Sequence, residues 1–171
     1  MIGFLLSGAL GLAAYAVRTL DRKGVAAGVV VGTAVYAGLG VPGFGILSLF
    51  FVLGSGATRL GRQVKLRRGV AQSRRGVRSV QHVLGNGLVA AVAAAAGIVL
   101  PDSRGVCAAA FAGSMAAASA DTLSSEIGQV WGGRPYLLPT FRRVAIGTDG
   151  AVTVAGSLAG LLGAAIIGFS A

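Results

Sequence analysis

Two carboxylates, Asp121 and Glu126, lie in the stretch ASADTLSSEIGQ at 118–129, directly after a long run of small apolar residues. They are two of only five acidic residues in the chain. Asp121 and Ser125 are four residues apart, as are Thr122 and Glu126, so on a helix each pair faces a similar direction. Mg²⁺ in proteins is commonly held by one or two carboxylates together with waters and substrate phosphates. The stretch therefore predicts a magnesium site formed by Asp121 and Glu126.

The spacing of these carboxylates limits how they can share one ion. Five residues on an ideal helix correspond to a rotation of about 140°. Asp121 and Glu126 would converge only if the helix ends or unwinds between them, or if waters or Asp149 complete the shell. The alternatives are ion pairs with nearby arginines or a merely solvated helix end. We favour a functional role, because an ionisable residue at membrane depth is a functional candidate.

A second polar stretch, AIGTDGAVTVAG at 145–156, leads into the last apolar segment. Gly147 and Gly150 permit a tight backbone, and Thr148 or Asp149 can serve as the N-cap of the following helix. The free N–H groups at a helix start bind anions, so these four residues are candidates for binding a phosphate. On this stretch alone, an ordinary capped helix is the simpler interpretation.

Eight of the fifteen Lys and Arg residues lie between positions 59 and 78. Arg59, Arg62 and Lys65 have helical spacing and extend the third apolar segment. Arg74, Arg78 and His82 extend the fourth in the same way. Gly69 or Gly76 could form the turn between the two. Membrane topology alone explains three or four such basic residues. The excess indicates binding of phosphates or anionic headgroups.

The stretch QHVLGNG at 81–87 adds the uncharged polar groups Gln81 and Asn86 at the start of an apolar segment. A hydrogen bond between helices explains Asn86 in the simplest way. A contact to a substrate phosphate or ribose is the functional alternative. His82 is the only histidine of the chain, which excludes a metal cluster built on histidines.

The elements that must position these residues are membrane helices. The chain is 54% hydrophobic and 12% charged, with a mean hydropathy of +0.79, which is unlike a soluble domain. A spanning helix needs about 20 mostly apolar residues. The sequence predicts a single all-α, Gly/Ala-rich membrane domain over residues 1–171 with about six spans, at 2–17, 25–39, 44–57, 83–100, 106–120 and 151–169.

The distribution of basic residues predicts the orientation of this bundle. All but one of the Lys and Arg residues lie at 18–23, 59–78 and 134–143, whereas residues 40–43 and both termini carry no charged side chain. The positive-inside rule places the three basic loops in the cytoplasm and both termini outside. The first segment has its charges on its far side, which is typical of a retained helix rather than a signal peptide. We therefore expect an active site on the cytoplasmic face of the cell membrane.

Twenty-nine glycines indicate close helix contacts, since helices associate in lipid through small residues. Gly156 and Gly160 have the spacing of such a contact. A row of five on the fifth segment predicts that its last member faces a partner helix, away from lipid: Gly105, Ala109, Gly113, Ala117 and Asp121.

The net charge of +10 suggests nucleic acid as a partner, but the basic residues lack the interleaved aromatic residues of a base-stacking surface. We expect no nucleic-acid binding. The sequence also lacks the Gly-rich Walker A motif of soluble nucleotide-binding proteins.

Four segments together resemble the domain-of-unknown-function family 92, which includes transmembrane protein 19 and the plant phytyl-phosphate kinase. They are TRLGRQVK (58–65), RSVQHVLGNG (78–87), ADTLSSEIG (120–128) and GTDGAVTVAG (147–156). The resemblance runs from about Gly24 onward. Where that family typically has Gly-Thr-Asn/Ser-Gly-Gly, this sequence has an acidic Asp149. This residue is either a third metal ligand or a helix cap.

The resemblance implies a membrane-bound kinase that transfers a phosphoryl group from a nucleoside triphosphate, CTP before ATP, to an isoprenyl monophosphate. By position, Asp121 and Glu126 would hold Mg²⁺ and act in catalysis with Lys65 and Arg78. The implied residues for binding substrate or nucleotide are Arg59, Arg62, Gln81, Asn86, Thr122, Ser125, Gly147, Thr148, Asp149 and Gly150.

Phosphoryl transfer fits the residue types, because it depends on positioning and charge neutralisation more than on covalent machinery. A phosphate monoester is largely a dianion at neutral pH and needs no general base, which a chain with one histidine would hardly supply. The alternatives are a transporter, flippase or binder of a lipid phosphate, a polyisoprenol kinase or lipid cytidylyltransferase, and a structural membrane subunit. A homo-oligomer is compatible with the sequence.

Overall fold

The computed structural model of the chain describes residues 1–71, 77–138 and 140–171. Arg74 and Gly76, which the sequence analysis assigned to the basic loop, lie outside these residues. The described helices are α1 (Ile2–Ala16), α2 (Arg22–Arg59), α3 (Arg62–Arg67), α4 (Val80–Val99), α5 (Arg104–Trp131) and α6 (Val154–Phe169), and a 3-10 turn at Pro101–Ser103 joins α4 to α5. The prediction of a mainly helical membrane domain is confirmed.

Three of these elements are long and apolar enough to cross a membrane, namely α2, α4 and α5 with its preceding 3-10 turn. Helices α1 and α6 are apolar but shorter, with 15 and 16 residues. A span of the usual hydrocarbon thickness needs about 20 residues. The count of six spans and the location of the termini therefore stay predictions.

Helix α2 reverses its direction at Gly40. Its 38 residues would extend about 57 Å if straight. Yet Arg78 lies against both of its ends: a Cβ atom on Gly24 would approach the Arg78 carbonyl oxygen to 2.9 Å, and one on Gly54 would approach Nη2 to 2.7 Å. Gly40 has φ 65° and ψ −151°, and Pro42 follows it. Two arms, at 22–39 and 41–59, thus meet at the turn that the sequence predicted at 40–43.

The core lies between the two arms of α2 and helices α4, α5 and α6. Its buried apolar side chains include Val35, Phe50, Ala90, Met115 and Ile167. Small alanines of α4, together with Phe111 and Met115 of α5, pack against the larger side chains of α2. This core fixes the polar ends of the same helices relative to one another.

Helices α5 and α6 pack through small residues. A Cβ atom on Gly156 would come within 2.6 Å of the Ser124 carbonyl oxygen, and one on Gly160 within 2.9 Å of the Ala120 carbonyl oxygen. Both distances are shorter than the closest approach of a real Cβ atom to a carbonyl oxygen, so these positions require glycine. The close contact predicted from the spacing of these two glycines is present.

The small-residue row on α5 does not make the predicted helix contact. Its five members are exposed, and the space around Gly105 and Gly113 is open. The buried face of α5 instead carries Cys107, Phe111 and Met115. These residues also repeat at intervals of four, and they take the inward position because their larger side chains bury more apolar area. Asp121 is consequently exposed, at the end of an open row.

A small sheet in the segment between α5 and α6 was not predicted. Strands β1 (Tyr136–Leu137), β2 (Arg142–Arg143) and β3 (Ala151–Val152) pair antiparallel in the order β2-β1-β3. Because β3 pairs with β1, helix α6 begins at Val154, three residues later than expected. Thr153 is its N-cap, and Thr153 Oγ1 accepts a hydrogen bond from the Gly156 N–H at 3.0 Å. The expectation that Thr148 or Asp149 caps this helix was wrong.

Candidate functional site

The polar side chains gather at one end of the bundle. This end contains the start of α4, the last turns of α5, the start of α6, and both ends of α2. The opposite end carries Asp102 in the 3-10 turn and Arg104, whose Nη2 donates to the Gly38 carbonyl oxygen at 3.3 Å. The chemistry of the molecule is therefore concentrated on the side that the charge distribution predicts to be cytoplasmic.

The first cavity at this end, here called the loop cavity, has a volume of about 310 Å³. It lies between α5, the start of α6 and the segment that connects them. Asp121 and Asp149 both line it, so it holds two of the five carboxylates of the chain. Its other walls come from Ser124, Ser125, Gly128, Gln129, Pro135, Ile146, Gly147, Thr148, Gly150, Ala151, Val152, Thr153, Gly156 and Ser157.

The loop that closes this cavity is a tight turn. Gly147 and Gly150 have φ angles of 91° and 74°, in the region that favours glycine. The Thr148 hydroxyl donates to the Ala145 carbonyl oxygen at 2.9 Å, and the Ala151 N–H donates to the Thr148 carbonyl oxygen at 3.2 Å. The tight backbone predicted here is present. Residues 146–150 and the start of α6, at Thr153 and Gly156, line the same cavity.

A second cavity, the arginine cavity, has a volume of about 250 Å³ and lies between α4 and α5. It brings together seven of the residues that the sequence analysis selected: Arg78, Gln81, Asn86, Asp121, Thr122, Ser125 and Glu126. His82 and Gly85 complete its walls. Asp121 and Ser125 line both cavities, so the two spaces meet at one turn of α5.

Arg78 is the buried cation of the arginine cavity, with 8% of its surface exposed. Its Nη2 donates to Thr58 Oγ1 at 3.2 Å, and its backbone N–H donates to the Thr19 carbonyl oxygen at 2.8 Å. Burial lowers the pKa of Arg78, and the negative charge of Glu126 opposes this effect. A guanidinium starts from so high a pKa that it stays charged at neutral pH. Arg78 is thus a fixed positive charge.

Lys65 and Glu126 form a buried ion pair. Lys65 Nζ and Glu126 Oε2 are 2.5 Å apart, and their side chains are 2% and 4% exposed. Lys65 Nζ also donates to the carbonyl oxygens of Ala57 and Thr58, at 2.9 and 3.2 Å. These are the last carbonyls of α2, which lack helical partners. Lys65 therefore ties α3 to the end of α2 and to Glu126, which lines the arginine cavity.

The two predicted metal ligands lie on different faces of α5. This helix runs without a break to Trp131, so it neither ends nor unwinds between Asp121 and Glu126. Asp121 is exposed, whereas Glu126 is buried against Lys65. Among the described residues no group of three or more His, Cys, Asp or Glu side chains is placed to hold a metal. Asp121 and Asp149 both line the loop cavity, and Mg²⁺ needs only one or two protein carboxylates.

Two predicted arginines lie away from the cavity walls described above. Arg59 is exposed and donates from Nη2 to the Val17 carbonyl oxygen, which fixes the end of α1 against the end of α2. Arg62 is half-buried at the start of α3. Gly54 and Thr58, which were not selected from the sequence, hold the Arg78 guanidinium. Thr58 opens the segment TRLGRQVK and Gly54 lies four residues before it, a spacing that could have identified both.

A lateral groove of about 480 Å³ leads from the site along α4 and α5. Its walls are Gly85, Asn86, Val89, Ala110, Ser114, Ala117, Ala118 and Asp121. Most of these side chains are small, which leaves an open channel beside the exposed row of α5. Asn86 and Asp121 border both this groove and the arginine cavity, so an apolar chain and a polar head can occupy one continuous space.

The fold and the one-sided polar site define a helical integral membrane protein. The chain belongs to the family of integral membrane proteins DUF92, whose family model matches residues 5–171. The resemblance inferred from the four sequence segments is thereby confirmed.

Several relatives match most of the chain, among them the following three. The protein named "Protein VTE6, chloroplastic" of Arabidopsis thaliana is 35% identical over 149 residues, which cover 85% of this chain and 45% of that protein. Uncharacterized membrane proteins of Synechocystis sp. and Methanocaldococcus jannaschii are 35% and 36% identical, over 82% and 88% of this chain. The chain spans 45% to 61% of the length of these three relatives. No solved structure matches.

Proposed function

We propose that this protein is a Mg²⁺-dependent kinase that transfers a phosphoryl group from a nucleoside triphosphate, CTP or ATP, to an isoprenyl monophosphate. One observation carries the proposal: Asp121 borders the loop cavity, the arginine cavity and the lateral groove at once. A reaction between a water-soluble donor and a lipid acceptor needs such a meeting point. The known kinase of the family that the sequence resembles supports the same chemistry.

The loop cavity suits the nucleoside triphosphate. The glycine turn at 147–150 and the start of α6, at Thr153 and Gly156, line this cavity, and the partial positive charge of a helix start attracts phosphate oxygens. Asp121 and Asp149 would hold Mg²⁺ at the same wall. When bound, the ion neutralises charge on the phosphate oxygens and orients them. Glu126 was also expected to be a metal ligand, but we propose a positioning role, because Lys65 holds it on a diverging face.

The arginine cavity suits the acceptor phosphate. The buried Arg78 supplies charge-assisted hydrogen bonds, and Asn86 and Gln81 add neutral polar groups. The lateral groove begins at Asn86 and would take the isoprenyl chain between α4 and α5. Because its side chains are small, the groove has space for a branched hydrocarbon chain next to the bilayer.

The chemical step needs little beyond this arrangement. An oxygen of the acceptor monophosphate attacks the γ-phosphorus, the bond to the β–γ bridging oxygen breaks, and a nucleoside diphosphate leaves. The acceptor is already a dianion at neutral pH, since its second pKa is about 6. Arg78 and the α6 N-terminus stabilise the charge that spreads over the transferred group. Ser125, at the wall that both cavities share, orients the reacting oxygens.

Two alternatives use the same residues. A lipid cytidylyltransferase would transfer the nucleotidyl group and release diphosphate. A transporter or flippase should have polar groups across the bilayer, whereas the described polar cavities lie at one end of the bundle and the inner face of α4 is alanine and glycine. The one-sided site therefore favours an enzyme.

The test incubates purified protein in detergent with Mg²⁺, labelled CTP or ATP, and a panel of isoprenols, isoprenyl phosphates and phosphatidate. We expect the diphosphate from an isoprenyl phosphate, and a loss of at least about 100-fold in Asp121→Asn. Asp102→Asn, which removes a carboxylate at the opposite end, is the matched control and should keep wild-type turnover. Equal turnover of the two variants would refute the site, and turnover of none of the acceptors would refute the function.

A further inference from the structure

The hairpin formed by β1 and β2 presents large apolar side chains to its surroundings. Phe141 at its tip is 76% exposed, and Leu138 is 54% exposed. Phe141 has a φ angle of 51°, a left-handed conformation that is unfavourable for a residue with a side chain. A hydrogen bond from its N–H to the Leu137 carbonyl oxygen, at 2.8 Å, holds the turn. The fold thus maintains an aromatic side chain pointing outward.

The charge of this segment is purely basic. Between Glu126 and Asp149 the sequence contains Arg134, Arg142 and Arg143 and no acidic residue. All three arginines are exposed. Arg143 lies 5.5 Å from the centre of the Tyr136 ring and donates to the Tyr136 hydroxyl at 3.1 Å, which aligns it with the hairpin. The tip therefore combines apolar side chains with a positive rim.

The chain leaves α5 for the hairpin at Trp131, which lies level with the start of the apolar face of α6. A Cβ atom on Gly156 would meet the Gly128 Cα at 3.2 Å, so these two residues lie at the same height. Trp131 lies about 4.5 Å beyond Gly128, and Val154 about 3 Å beyond Gly156. Val154 is 74% exposed and begins the outward apolar face of α6. Trp131, 56% exposed, thus lies where that apolar face begins, the level at which Trp is enriched.

We propose that the β1–β2 hairpin, together with Trp131, docks onto the headgroup layer of the bilayer that contains the protein, and that it selects anionic lipids. Phe141 and Leu138 enter the interface, and Arg142 and Arg143 bind the lipid phosphates. This surface is independent of the proposed catalytic function. Strand β1 pairs with β3, whose two residues line the loop cavity.

The experiment uses a single tryptophan at the tip. Trp131 is the only tryptophan, so Trp131→Phe/Phe141→Trp reports on position 141 alone. The full chain is placed in lipid nanodiscs of phosphatidylcholine, with or without phosphatidylglycerol, and fluorescence quenching by brominated phosphatidylcholine and by aqueous acrylamide is measured. Trp131→Phe/Ala145→Trp, with the probe at an exposed loop residue outside the hairpin, is the matched control.

We expect quenching by brominated lipid to be at least about twofold stronger at position 141 than at 145, and to rise with anionic lipid. Adding Arg142→Gln and Arg143→Gln should remove that rise while the helical circular dichroism stays unchanged. Equal quenching at the two positions, or no dependence on lipid charge, would overturn the proposal. If position 141 becomes protected from both quenchers as the protein concentration rises, the surface binds a second copy of the chain, and the proposal is overturned.

Discussion

Removing the ammonium of the buried Lys65 should strongly destabilise the protein. In Lys65→Met the Glu126 carboxylate stays 4% exposed without its partner, and two carbonyl oxygens at the end of α2 lose their donor. Leaving one member of a buried ion pair alone costs about 3–5 kcal/mol. The lost hydrogen bonds belong to the same network and do not simply add. We therefore expect the free energy of unfolding to fall by about 4 kcal/mol.

Glu126→Gln should cost less, about 2 kcal/mol, because the ammonium keeps its two carbonyl partners and can donate to the amide oxygen. The double variant Lys65→Met/Glu126→Gln should then be more stable than the sum of the single losses implies, with a coupling energy of about 2 kcal/mol. The measurement is reversible unfolding in mixed micelles with increasing dodecyl sulfate, followed by circular dichroism.

Arg67→Met is the matched control, because Arg67 is an exposed cation on the same short helix. Its stability should stay within about 0.5 kcal/mol of the wild type. If Lys65→Met is no less stable than Arg67→Met, or if the coupling energy with Glu126→Gln is zero, the pair does not hold α3 and α5 together. The positioning role of Glu126 would then have no basis.

Two further predictions concern glycine packing and the lateral groove. Gly156→Ala should lower the free energy of unfolding by about 1–3 kcal/mol, since its Cβ would meet backbone atoms of α5, whereas Gly168→Ala, in open space on the same helix, should change it by less than about 1 kcal/mol. Equal stability of the two would contradict the packing. Ala117→Leu should raise the KM for a long isoprenyl phosphate about tenfold by filling the groove, while Ala109→Leu, on the same exposed row but outside the groove walls, should leave it unchanged. An unchanged KM in Ala117→Leu would place the lipid chain elsewhere.

The apolar segments predicted most of the helical fold because membrane helices need long apolar runs. The reversal near Gly40 followed from an uncharged turn with Pro42. The β1–β2–β3 sheet could not be predicted from the sequence, since strands of two residues carry no periodicity and depend on pairing across the loop. The late start of α6 has the same origin.

The residues of the candidate site could be selected because polar groups are rare in this chain. Six of them line one cavity together with Arg78. The sequence could not predict which side chain each of these residues contacts in the folded protein. The small-residue spacing selected the row that ends at Asp121, whereas the bulk of Phe111 and Met115 places a different row of α5 inside. The partner of Glu126 lies 61 residues away in the chain, where no local pattern reaches.

The most direct test of the proposed kinase reaction follows the fate of a label in the nucleotide. Purified protein receives an isoprenyl phosphate, Mg²⁺, and CTP or ATP labelled either at the γ-phosphate or at the α-phosphate. We expect the lipid product to take its label from the γ-phosphate alone, and we expect Asp121→Asn to abolish this transfer while Asp102→Asn does not. Label that enters the lipid from the α-phosphate, or transfer that survives Asp121→Asn at the wild-type rate, would contradict the proposed reaction.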